Sequence, residues 1–241
     1  MATTQDKSLA TAPRRHETGR QRTPIGSTHA TTCRFKCMSP PTFYEFVFRA
    51  ALLGVALGIV ALIERRVHRE RATRWREYLF LLLCALAGGV FGVCTDAFTA
   101  SASPEYFWLG KGVPDDDRFW PRVIELGFQA GFFAGAIIGG FLLVANSVNR
   151  HLPALPLPRL GRYVPWIMVT ASVITTVAGL FIPKWDPLEL REQMSRTLTP
   201  DELRRFMNVW NIHAGLYCGG GLGTLVACAL IWRARKKAAT P

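Results

Sequence analysis

Five apolar stretches, at about 43–63, 78–98, 123–148, 163–183 and 207–232, dominate the chain, and the charges are gathered between them. A bilayer core about 30 Å thick needs roughly 20 apolar residues in a helix, and each stretch is long enough with some tilt. Inside lipid every backbone N–H and C=O must be bonded within its own segment, so each stretch is expected to be a helix. The expected fold is all-α, a polytopic transmembrane bundle of about five spans. Averaged over 241 residues the hydrophobic share is an ordinary 49%, so it is the blocks that carry the reading.

The net charge of +12 is one footprint of nucleic-acid binding, but its distribution argues against that partner. Segment 64–77 carries +3 with six arginines, 149–162 carries +3, and the end of the chain carries Arg233, Arg235, Lys236 and Lys237. The alternating connections are neutral or acidic: 98–122 carries −1 and 184–207 carries 0. This is the positive-inside pattern of a multi-pass membrane protein. It puts the N-terminus outside, the C-terminus in the cytoplasm, and 233–241 as a basic cytoplasmic tail, as for a bacterial inner-membrane protein. All seven tryptophans fall near span ends or in connections, as an interfacial aromatic belt requires.

Residues 1–42 carry +5, lack periodicity and read as a disordered tail. Met38, just ahead of the first apolar block, reads as the initiator. Its use would remove the conflict between a basic tail and an outside N-terminus. Cys33 and Cys37 have no second ligand pair and do not read as a zinc site. A disulfide between Cys94 and Cys218 would need both at an oxidising face.

In the connection 184–207, Asp186-Pro187-Leu188-Glu189 and Thr199-Pro200-Asp201-Glu202 both read as cap, proline, then glutamate at the third helical position. Short outer-face helices are expected within 187–206, the second running into the fifth span.

Glycines recur every four residues as a glycine zipper: Gly54 and Gly58, Gly88 and Gly92, then Gly127, Gly131, Gly135 and Gly139, then Gly215, Gly219 and Gly223. Lipid gives no hydrophobic drive between helices, so side-chain-free ridges that let backbones approach are expected to hold the bundle together. The same ridges could serve a homo-oligomer or a membrane-protein partner.

Ionisable groups within spans are costly and need partners. Here such groups and neighbouring amides gather on one side: Glu45 and Arg49, spaced to pair with each other; Asp96 closing the second span; Glu125 and the amide Gln129 opening the third; and the amides Asn208 and Asn211 with His213 opening the fifth. Asp96, Glu105, Glu125 and His213 offer oxygen and imidazole ligands for a divalent metal, though without a motif spacing. Taken singly, Glu125 reads as a partner of Arg122 or as a side chain snorkelling to the surface, and His213 as a hydrogen-bonded packing residue. Gly110-Lys111-Gly112 lacks the earlier glycine, the Ser/Thr and the strand–helix setting of a phosphate loop.

The run Asp96-Ala-Phe-Thr99-Ala-Ser-Ala-Ser103-Pro104-Glu105-Tyr106-Phe107, with His213-Ala-Gly-Leu-Tyr217-Cys-Gly219-Gly220, resembles a group of bacterial multi-pass membrane proteins with a D-x-x-T-x-x-x-S-P-E-Y-F loop. Members often carry His-Asp-Gln where this chain has Thr95-Asp96-Ala97. The resemblance implies no activity, but it adds weight to Asp96, Glu105, Tyr106 and His213. The expectation is an integral membrane protein with a metal or small-polar-ligand site on its outer face, formed from Asp96, Glu105, Tyr106, Glu125, Gln129, Asn211 and His213. A small transporter or channel component, and a structural or assembly subunit packing through its glycines, are the alternatives.

Overall fold

Helices occupy nearly every position of the computed structural model, which describes residues 42–69, 74–149, 151–181, 186 and 188–239. In chain order they are α1 (Phe43–His68), α2 (Arg74–Ala102), a π-helical turn (Tyr106–Gly110), α3 (Phe119–Ser147), α4 (Leu157–Gly161), α5 (Tyr163–Phe181), α6 (Leu190–Ser195) and α7 (Pro200–Ala239). Five segments are long and apolar enough to cross a membrane: α1, α2, α3, the stretch Leu157–Ala178 covering α4 and most of α5, and α7. The all-α polytopic bundle is thus the observed fold. The readings of the tail before Thr42, of Met38, of Cys33 and Cys37, of Trp185 and of the fourth span's end near Pro183 lie outside the described residues.

Local chemistry sets the helix ends. Thr199 and Glu202 form the expected capping box: the Thr199 N–H and hydroxyl each donate to Glu202 Oε2 at 2.8 Å, and the Glu202 N–H donates back to Thr199 Oγ1 at 3.4 Å. With that start, α7 runs for 40 residues. At 1.5 Å per residue this is about 60 Å, so the helix outreaches the hydrocarbon core at both ends. Asp186 also caps, but from further away. Its carboxylate accepts the N–H groups of Leu190 and Arg191, because Glu189 sits in the left-handed region (φ 53°) and delays the start of α6.

Two helix pairs make the bundle. In the first, α2 and α3 run together with backbones in contact: a Cβ on Gly92 would overlap the Gly127 carbonyl oxygen, and one on Gly131 would overlap that of Gly88. In the second, Gly215, Gly219 and Gly223 of α7 admit α5 through Ala178, Ala171 and Ile167. Nine of the eleven glycines thus stand within 4 Å of a neighbouring helix when a Cβ is built on them. Gly54 and Gly58 are the exceptions, with no atom of the described residues within 4 Å of a built Cβ. The reason lies in α1 itself, which is exposed almost throughout and buries only Phe46, edge-on against Phe128, Phe132 and Phe133 of α3. Glu45 and Arg49 are also exposed and form no ion pair with each other.

Two small cores close the bundle at its ends. One, around Phe107, Phe119, Val123 and Phe206, lies beneath the loops 103–118 and 188–199. The other, around Phe80, Leu142, Leu160 and Ile231, lies at the basic end. There residues 233–239, the described part of the basic segment after Trp232, continue α7. Arg235 is 1% exposed and donates to the carbonyls of Ala145, Asn149, Leu152 and Pro153. The final carbonyls of a helix have no partners within it, and one guanidinium satisfies those of α3 and the turn that follows. Cys94 and Cys218 are free and exposed, so the pair does not form a disulfide.

Candidate functional site

Close packing of α2 on α3 sets the first element of the site. A Cβ on Gly127 would fall 2.9 Å from Asp96 Cβ, so the glycine lets the last turns of α2 lie flat against α3. Asp96 is thereby held inside the bundle, 7% exposed, facing α7. Thr99, one turn on and on the same helix face, is fully buried beside it.

His213 arrives from α7, 3% exposed. Its Nε2 stands 3.2 Å from Thr99 Oγ1 and 3.9 Å from Asp96 Oδ1. The Thr99 hydroxyl donates its own proton to the Thr95 carbonyl at 2.9 Å, so its oxygen accepts from His213 and the network assigns the imidazole hydrogen to Nε2. The 3.9 Å to Asp96 is beyond hydrogen-bond reach. No hydrogen bond to the Asp96 carboxylate forms among the described residues. Its oxygens face the cavity instead of a protein donor, and an ionisable side chain inside a membrane-spanning helix is the usual mark of a functional position.

The π-helical turn lays a lid of rings over the histidine. Tyr106 stacks on His213 with centroids 4.8 Å apart and planes at 18°, and Phe107 meets it edge-on at 6.2 Å. Glu105 fixes the turn to α7. Its carboxylate, 6% exposed, accepts from Arg205 at 2.6 Å and from Ser103 at 2.9 Å. Burial acts to raise this carboxyl. The hydrogen bonds from Arg205, its own N–H and Ser103, with the Arg205 charge, outweigh that and hold it below its ordinary 4.5. Tyr106 is raised, first by burial and then by Tyr217 and Asp96, so its phenol is neutral. Lys111 also meets this ring, its ammonium 5.7 Å from the centroid.

Asp96, Lys111, His213 and Tyr217 share one end of a cavity of about 540 Å³ that runs between the α2–α3 pair and the α5–α7 pair. The rest of its wall is apolar except for Thr224, whose hydroxyl donates to the Gly220 carbonyl, and reaches Cys84 on α2 and Cys228 on α7.

Of the residues expected at the site, Asp96, Tyr106 and His213 come together, and Glu105 joins them through the turn. Gln129 and Asn211 are buried but neither lines the cavity. Glu125 is half-buried on α3, away from the cavity wall, and the expected Arg122 partner instead donates to Asp116 at 2.8 Å. The four-residue metal set is corrected too: among the described residues no three His, Cys, Asp or Glu groups stand close enough to hold an ion. Arg205 and Ser103 occupy the Glu105 oxygens, which removes the third ligand. Thr99, Lys111 and Tyr217 were not singled out from sequence as site residues. Thr99 follows Asp96 by three and Tyr217 follows His213 by four, so helical spacing carried a signal for both.

Comparison of the chain with protein-family models, curated proteins and solved structures finds no match.

Proposed function

We propose that this integral membrane protein binds a small polar group at the Asp96–His213 cluster, on the outer face of a bacterial inner membrane. The observation that carries the reading is the meeting of two buried ionisable side chains from separate spans at the end of a cavity. Asp96 offers an acceptor with no donor of its own, Lys111 offers a positive charge, and the histidine and its ring stack hold the wall in place. The donor set suits hydrogen bonds and charge rather than metal coordination.

The orientation belongs to the same proposal. The arginine-rich 64–77 connection, the 149–162 connection and the end of α7 lie in the cytoplasm, with the N-terminus outside. Transport through the bundle has less support. In α5, Thr170, Ser172 and Thr176 donate to carbonyls of their own helix while Thr175 makes no side-chain hydrogen bond among the described residues, and the cavity wall beyond the polar end is apolar apart from Thr224.

The test is extraction of wild type, Asp96→Asn and His213→Gln from membranes, with small molecules identified by mass spectrometry. A species enriched with wild type and depleted from both variants supports the reading, and identical profiles would end it. Reporter fusions in the 64–77 connection check the orientation, and a periplasmic signal there would reverse it.

A second reading, an assembly role, is favoured by α1. Its Gly54 and Gly58 ridge meets no neighbour among the described residues, and the reading commits to a second copy as the occupant. Disulfide trapping of Gly54→Cys in membranes tests it; a monomer-only result would remove it.

A further inference from the structure

Three properties of the cavity bear on what its polar end receives. The first is length. Along α2 the wall runs from Asp96 back to Cys84, twelve residues or about 18 Å. That exceeds half of a ~30 Å hydrocarbon core, the depth of one leaflet. A compact polar solute would use only the first turn of such a space.

The second is the direction in which the cavity opens. Ala134, Ile137, Phe141 and Leu225 line it and are themselves exposed on the apolar flank of the bundle. Its long side therefore faces the bilayer, while Tyr106 and Phe107 cover the histidine from the loop end.

The third is a pair of glycines that packing does not require. Gly219 is pressed on Ala171 of α5, whereas Gly220 and Gly221 line the cavity and meet no atom within 4 Å of a built Cβ. Glycine costs a helix about 1 kcal/mol relative to alanine, and here no neighbouring backbone accounts for it. What the two glycines do is keep the cavity wide.

The charges at the polar end narrow the head group. The cavity presents one carboxylate, Asp96, and one ammonium, Lys111, with Lys111 near enough to act electrostatically on both Asp96 and His213. The complement is a head with a cation bearing N–H donors for Asp96 and an anion for Lys111. A purely anionic head would meet Asp96 unfavourably, and a quaternary ammonium would bring it no donor.

We infer that the site takes a zwitterionic phospholipid, with a phosphoethanolamine head at Asp96 and Lys111 and a hydrocarbon chain lying in the cavity between the two helix pairs. The inference rests on the reading of Asp96–His213 as a ligand site and adds the chain and the head-group chemistry to it.

The full chain, delipidated in detergent, is titrated by native mass spectrometry with glycerophosphoethanolamine, with lysophosphatidylethanolamine and with lysophosphatidylglycerol of equal chain length. Lysophosphatidylethanolamine is expected to bind at least about tenfold more tightly than either of the others, a gap of about 1.4 kcal/mol. Asp96→Asn is expected to erase the preference between the two lysolipids. Gly221→Phe projects into open space, so its melting temperature should hold while affinity for the chain-bearing lipid falls toward that of the head alone. If glycerophosphoethanolamine binds as well as the lysolipid, the chain is refuted and the polar site stands. If both lysolipids bind alike and Asp96→Asn changes nothing, the polar site itself falls. No binding of any of the three overturns both.

Discussion

The Glu105 carboxylate and the Arg205 guanidinium, one hundred residues apart in sequence, meet at 2.6 Å and tie the π-helical turn to the first turns of α7. That turn carries the Tyr106 ring stacked on His213. The ion pair therefore positions the lid over the cluster while standing outside it.

The pair fixes a pH dependence. Glu105 is held below its ordinary 4.5 in the folded protein. A depressed carboxyl adds stability that is fully present above the ordinary value and is lost as pH falls through the folded one. Glu105→Gln is expected to lower the melting temperature by a few degrees at neutral pH, with the gap to wild type constant down to about 4.5 and closing below it. Half-exposure of Arg205 keeps the effect modest. Thermal unfolding in detergent across pH checks this. A gap that stays the same into strong acid would mean the carboxylate charge contributes nothing.

Arg235 predicts a larger effect at the opposite end. Its side chain donates to four carbonyls at the end of α3 and in the following turn. Hydrogen bonds to a charged donor contribute about 1.5–3 kcal/mol each, and several are lost together, so Arg235→Ala is expected to cost at least about 3 kcal/mol. Arg235→Lys should recover only part, because an ammonium cannot spread its donors over the fork of a guanidinium. Denaturant unfolding of the three proteins in detergent measures the order, and equal stability of the lysine and arginine forms would count against the fork.

Tyr106 separates ring from hydroxyl. The ring is stacked on His213 and tilted against Phe206, whereas its hydroxyl makes no hydrogen bond among the described residues. Tyr106→Phe is expected to leave stability within about 1 kcal/mol, while Tyr106→Ala should lose roughly 3–5 kcal/mol, as for a buried aromatic. Both are read from unfolding in detergent. A severe loss in the phenylalanine variant would show that the hydroxyl, not the stack, holds the lid.

Much of this arrangement was legible in the sequence, for identifiable reasons. Span length and the need to bond every backbone group dictate the five helices, and Thr199 with Glu202 announces the start of α7. Asp96 and His213 stand out because charge inside a span needs a reason. Spacing by itself failed where the deciding neighbour lies elsewhere in the chain. Arg235 looks like one more stop-transfer charge until α3 ends beside it, and Lys111 looks like a loop lysine until the turn lays it over Tyr106. The cavity is a gap between two tightly zipped pairs, and no local pattern encodes a gap. Glu125 and Gln129 lie within a turn of Gly127, yet the face that meets Asp96 belongs to the glycine.

The same limit yields the sharpest mutational contrast, because Gly54 and Gly92 are indistinguishable by motif. On α2, a methyl at Gly92 would overlap the Gly127 carbonyl oxygen, which belongs to a helix backbone and cannot swing aside. Gly92→Ala must push α2 and α3 apart, at an overpacking cost of about 1–3 kcal/mol or more. The displacement would also move Asp96, one turn along α2, away from His213. On α1, a methyl at Gly54 meets nothing. Gly54→Ala should therefore be neutral or stabilising by up to about 1 kcal/mol through helix propensity in the monomer. Unfolding of both variants in detergent decides it. A Gly92→Ala protein as stable as wild type would show that the two helices do not approach at this position, and the placement of Asp96 inside the bundle would lose its cause.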